Sequence, residues 1–155
     1  MPEALAFEDF PPGEVVEYGG LDVSADDIVA FAGEFDPQPF HLDEEAARAA
    51  TGGLIASGWH TCALLLRMNC EAFLMRAAIL GEAGVEEVRW ERPVRPGDRL
   101  HVRRTTLAAR PRDGRTDQGE VEFLYEVLNQ DGQVAMTQQS RLAVKRGCAA
   151  KPEAD

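Results

Sequence analysis

Apolar positions follow a helical period in the first half of this chain and a period of two in the second half. The change falls near Gly81 and Gly84. Glu14-Val15-Val16-Glu17-Tyr18 is short and β-prone, and Gly19-Gly20 reads as its end. A helix start follows, with Ser24 as cap, acids in the first turn, and Ile28, Phe31 and Ala32 at the i, i+3, i+4 spacing of one buried face. Asp43 to Ala50 reads as a second, short helix capped by Asp43 and broken by Thr51-Gly52-Gly53. From about Leu54 to Leu80 the chain is apolar nearly all round, interrupted by Arg67, Asn69, Glu71 and Arg76, which predicts one long central helix.

Strand patterns then take over. Val85 to Trp90 comes first, and Arg92-Pro-Val-Arg-Pro-Gly-Asp98 breaks it. Leu100, Val102, Arg104 and Thr106 share one face of the next strand. A charged loop over 111–119 leads to Val121, Phe123, Tyr125 and Val127, alternating with Glu120, Glu122 and Glu126 as in a sheet with one wet face. Asn129-Gln130-Asp131-Gly132 is a hairpin signal before the last strand, Val134 to Val144. One long helix wrapped by a curved antiparallel sheet is an α+β layer solution, and the hot-dog arrangement has this order of parts. A single domain over 1–146 with a polar tail over 147–155 is expected.

With 155 residues, 45% of them hydrophobic, the chain can build one ordinary core. A net charge of −11 argues against nucleic acid as a partner, because phosphate binding rests on clustered Lys and Arg. No run approaches the roughly twenty apolar residues of a membrane span. Acids near the N-terminus, where a signal peptide needs basic residues, predict a protein that stays in the cytoplasm. Cys62, Cys70 and Cys148 have no metal-ligand spacing, and their odd count fits a reducing compartment.

The stretch richest in chemistry is Phe35-Asp36-Pro37-Gln38-Pro39-Phe40-His41-Leu42-Asp43. Two prolines push the residues before them toward extended geometry, predicting a stiff, kinked connector rather than an ordinary helix. An acid and an imidazole held on such a connector suit general acid–base chemistry, which needs partners at hydrogen-bond distance. The same residues also suit a plain turn, since Asp before Pro starts turns and His41 is placed to cap the next helix.

Three features in order resemble the MaoC-like dehydratase family, which is related to the (R)-specific enoyl-CoA hydratases. They are Asp36-x-x-Pro39-x-His41, the stretch from Gly53 to His60, and the Arg92-Pro-Val-Arg-Pro-Gly-Asp98 run. The resemblance spans roughly Phe7 to Val144. It implies a hot-dog fold, a homodimer with sites near the dimer interface, and acyl-CoA-type thioester substrates. It also implies that Asp36 and His41 are the catalytic pair that activates water, with no metal or redox cofactor. The oxyanion donor it implies is the backbone N–H of Gly58, at the start of the long helix. Gln38, Pro39, Phe40, Ser57, Trp59 and His60 are the neighbouring candidates for substrate contact. Arg92, Arg95, Arg99, Arg110, Arg112 and Arg115 are the candidates for a carrier's phosphates.

This chain departs from the family pattern at three places. Gln38 stands where many hydratases have Asn, Ser57 where they have His, and Leu66 where a hydroxyl residue is common. Two other readings stay open. One is an acyl-CoA thioesterase, for which Glu71 is the acid the central helix offers. The other is a thioester-binding subunit without catalysis.

Overall fold

A computed structural model describes residues 4–147. The chain runs β1 (Val15–Asp22), α1 (Ala25–Phe35), α2 (Pro39–Leu42), α3 (Glu44–Thr51), α4 (Gly58–Ala72), β2 (Ile79–Trp90), β3 (Arg99–Arg112), β4 (Arg115–Leu128) and β5 (Val134–Lys145). Five antiparallel strands form one sheet in the order β1-β3-β4-β5-β2. With α4 packed against it, this is the hot-dog arrangement expected from the order of parts. Of the predicted tail, 148–155 lies outside the described residues. No helix among the described residues is long and apolar enough to cross a membrane.

The periodic segments fold as their patterns require. Ser24 Oγ accepts the Asp27 N–H at 3.1 Å, and Ile28 and Ala32 of α1 are fully buried. Asp43 Oδ1 accepts the N–H groups of Glu45 and Ala46, capping α3. Leu100, Val102, Arg104 and Thr106 of β3 are buried, as are Val121, Phe123, Tyr125 and Val127 of β4. Leu65 and Met68 of α4 join these strands in one core.

Four expectations need correcting. Gly19-Gly20 does not end β1; the strand continues to Asp22 with a register shift between Gly19 and Leu21. A Cβ at Gly19 would lie 2.8 Å from Met68 Sδ, so the missing side chain lets β1 approach α4. The proline connector, by contrast, is extended at Gln38 as expected, and then makes one helical turn, α2, with Pro39 at its first position, where the absent N–H costs no hydrogen bond. The central helix stops at Ala72, well short of Leu80. Phe73 turns inward to pack edge-on against Phe10 and Phe123, and the chain from Ile79 pairs with β5. Gly81 and Gly84, read as helix terminators, lie within β2 beside its register shifts. Finally, 111–119 is no loop, because β3 and β4 run on into a tight hairpin.

The apolar character of α4 also does not bury it completely in one chain. Leu66 remains 53% exposed.

Candidate active site

Asp36 ends α1, its N–H donating to the Ala32 carbonyl at 2.9 Å. The helix end sets its backbone, and Pro37 after it stops the helix from continuing. Its carboxylate is the hub of the site. Oδ2 accepts the Ser57 hydroxyl at 2.6 Å and lies 3.3 Å from His41 Nε2, and Oδ1 accepts the Gln38 amide at 2.6 Å. Gln38 and Ser57, two of the departures from the family pattern, are thus both spent on orienting Asp36. The Ser57 hydroxyl, then the Gln38 amide, and lastly the His41 ring hold the Asp36 carboxyl below its usual value against the opposing effect of burial.

His41 is buried in α2, and its ring is held from its other nitrogen. Nδ1 lies 2.7 Å from the Ile55 carbonyl, which can only accept, so Nδ1 carries the proton there. In the neutral imidazole Nε2 is then a bare acceptor facing Asp36 Oδ2, itself an acceptor. Two acceptors this close are satisfied by a shared proton or by a water that donates to them. His41 therefore does not serve as the cap proposed by the plain-turn reading; Asp43 does that.

Gly58 opens α4 at the same place. Ser57 is the N-cap residue, yet its side chain makes no capping bond, because its hydroxyl is directed at Asp36. The N–H groups of the first turn, which have no partner within the helix, are thereby left for a ligand. With the helix dipole they favour negative charge there.

These groups open onto a cavity of about 430 Å³. Asp36, Gln38, His41, Gly58 and Trp59 of the sequence-predicted set line it. Ser57 reaches it through Asp36. Pro39 and Phe40 stand behind it: Pro39 starts α2, and the Phe40 ring meets the His41 ring edge-on at 4.5 Å. His60 is turned away from the cavity, stacked on Phe31 at 4.6 Å with an interplanar angle of 8°. Burial pushes its pKa down and its Nδ1 has no partner among the described residues, so the structure does not bring this candidate into the cavity.

Of the candidate arginines, Arg92 lies on the cavity wall. Arg95 donates to the Thr51 carbonyl, Arg99 pairs with Asp22, Arg110 with Glu122, and Arg112 donates to Gln118. Leu66 lines a separate, smaller cavity. Among the described residues no cluster of three His, Cys, Asp or Glu side chains could hold a metal ion.

Sequence reasoning missed Ile55, whose carbonyl orients His41, and Trp90, which lines the cavity from β2. Neither carries a local signal, since a backbone carbonyl has no residue preference and Trp90 reads as the apolar end of a strand.

Ser57→Ala tests the carboxylate clamp. Removing the largest influence that lowers the Asp36 pKa should move the acid limb of any Asp36-dependent activity to higher pH. An unchanged limb in a pH–rate profile would contradict this account.

The chain is 34% identical over 127 residues to the uncharacterized protein YdeM of Bacillus subtilis (strain 168), a match covering 81% of this chain and 89% of that protein. Among solved structures it is similar to the MaoC-like dehydratase from Rhodospirillum rubrum, at 45% identity and a TM-score of 0.86, covering 94% of this chain and 99% of that one. The R-hydratase PhaJ1 from Pseudomonas aeruginosa shares the fold at 22% identity and a TM-score of 0.70, covering 98% and 96%. Residues 8–129 match the family model described as MaoC like domain. A site built on an Asp-x-x-Pro-x-His turn beside a helix N-terminus thus stands in a chain that belongs to the MaoC-like domain family.

Proposed function

We propose that this protein adds water to the 2,3-double bond of an enoyl thioester, or removes it from the 3-hydroxyacyl thioester, with coenzyme A as the carrier. The observation that carries this reading is the approach of Asp36 to His41 in the same cavity as the free first turn of α4. In hydration, the Asp36 carboxylate takes a proton from a water held between it and His41 as the water oxygen bonds to C3. Charge moves to the thioester oxygen, where the Gly58 N–H donates to it. The proton taken by Asp36 passes to His41 Nε2 and from there to C2. Net addition of water leaves both side chains as they began. Asp36 and His41 supply the acid–base chemistry with no metal or redox cofactor in the reaction.

Trp59 is the side chain we assign to substrate contact, with Gln38 and Ser57 acting through Asp36. The reaction is placed in the cytoplasm, in keeping with the free, half-buried thiols of Cys62 and Cys70.

The thioesterase reading is less well supported. Glu71 is exposed and tied to Arg67 on the surface of α4, so the acid it would need does not face the cavity. A purely binding role gains nothing from a carboxylate clamped by three side chains.

Wild-type protein mixed with crotonyl-CoA and longer 2-enoyl-CoAs should bleach the enoyl-thioester absorbance. Release of free thiol from saturated acyl-CoAs, with no bleaching, would replace this reading by the thioesterase one.

We further propose that two copies pair through β2. It is one of the two edge strands of the sheet, 12 residues long, with one side unpaired among the described residues, and Leu80, Val85 and Trp90 are exposed along it at 53%, 48% and 46%. A long unpaired edge with exposed apolar side chains is an association surface unless it is covered. Sedimentation should give the mass of two chains, and a single-chain mass at micromolar concentration would refute the pairing.

A further inference from the structure

The first turn of α4 needs an anchor, because Ser57 gives its hydroxyl to Asp36 instead of capping the helix. Trp90 stands where that anchor would be. Its Nε1–H donates to the Gly58 carbonyl at 2.9 Å, across 32 residues of sequence. The indole also crowds the glycine: a Cβ at position 58 would sit 2.6 Å from both Cε2 and Nε1. Trp59, next in the helix, meets the same indole edge-on at 5.2 Å and 76°. Gly58, Trp59 and Trp90 all line the 430 Å³ cavity that holds Asp36 and His41.

The turn is therefore gripped from two sides. Ser57 ties it to the carboxylate, and Trp90 ties its first carbonyl to the last residue of β2. An oxyanion donor acts only if it is already aimed at the position where charge develops. The Gly58 carbonyl shares its peptide plane with the Trp59 N–H, so the indole hydrogen bond fixes that plane, while the ring against the Gly58 Cα limits rotation of the preceding plane, which carries the Gly58 N–H.

We infer that Trp90 is a positioning residue for the hydration proposed above, on which this inference rests: it sets the direction of the first N–H groups of α4, and its ring is what requires residue 58 to be glycine. Gly58 thus serves first to admit a side chain from the sheet.

Two sets of variants test this with a 2-enoyl-CoA. Trp90→Phe keeps a ring against Gly58 but loses the donor, and should lower kcat about ten-fold, the worth of one neutral hydrogen bond, with KM changed less than about two-fold. Gly58→Ala retains the backbone N–H but forces the indole away, and should cost about a hundred-fold in kcat/KM. In a Trp90→Ala background the same Gly58→Ala change should cost much less, because the contact that penalised it is gone.

A rise in KM with kcat unchanged in Trp90→Phe would reduce Trp90 to a wall of the cavity and overturn the inference. So would an equal cost of Gly58→Ala in both backgrounds. Circular dichroism and thermal melts identify any variant that fails to fold, and Trp90→Phe, the mildest change, then decides alone. Wild-type protein that hydrates no 2-enoyl-CoA would defeat the hydration reading itself, and Trp90's part in it with it.

Discussion

Asp36→Asn should lower the hydration of a 2-enoyl-CoA by about 10²–10⁴-fold, the range spanned by one general acid–base group. The substitution keeps the shape of the side chain and its capacity to accept from Ser57, so the cavity should survive. What disappears is the charge that draws a proton from water. His41→Ala should fall in the same range for a different reason: the ring that shares the water, with Nδ1 fixed on Ile55, is lost. Steady-state kinetics of both variants, beside the wild type, provide the measurement. Retention of more than about a tenth of wild-type kcat by either folded variant would remove that residue from the chemistry.

Asp36→Asn also carries a signature in stability. A carboxyl whose folded-state pKa is lowered contributes stability above its unfolded-state value of about 3.9, and that contribution is lost as pH falls through the lower folded value. Wild-type protein should therefore lose stability over that acid window, and the Asn variant should lose less of it.

Arg104→Ala should destabilise the fold by about 2–5 kcal/mol, the range for truncating a large buried side chain to Ala. The guanidinium is 5% exposed on the inner face of β3. It pairs with Glu14 at 3.3 Å and lies 5.4, 5.9, 4.3 and 5.1 Å from the ring centroids of Phe10, Tyr18, Phe73 and Phe123. Aromatic faces hold a desolvated cation, with each such contact worth up to about 2 kcal/mol. Truncation to Ala empties the middle of this aromatic cluster and leaves Glu14 without its partner. Arg104→Met fills most of the same volume without a charge, and should cost much less. Urea unfolding of the two variants separates the accounts. Equal losses would mean that the charge alone matters and the filled volume does not, and a loss below about 1 kcal/mol for Ala would mean that the box contributes little.

The two predictions also mark different depths of legibility in the sequence. The alternation in β3 placed Arg104 on the buried face beside Leu100, Val102 and Thr106, because a period of two fixes which side chains share a face. It gave no reason for a cation to be there, since the four rings come from the N-terminal segment, β1, the end of α4 and β4. Likewise, the proline spacing and the family likeness brought Asp36 and His41 forward together, being only five positions apart. The resemblance supplied Gly58 as donor, and the fold class followed from the order of periodic segments.

What the sequence by itself determined is what neighbours within one turn or one strand impose: the capped α1 and α3, the faces of β3 and β4, and the kinked turn carrying an acid and a base. Tertiary structure decided the rest. Ser57 reaches Asp36 across 21 residues and Trp90 reaches Gly58 across 32, distances at which no local period operates. The end of α4 was decided in the same way. The apolar residues after Ala72 suit a helix or a strand equally, and the aromatic cluster around Phe73 together with the free edge of β5 selected the strand. His60 shows the converse, because proximity to Gly58 in sequence brought it into the candidate site while the turn of the helix carried its ring to the far side, onto Phe31.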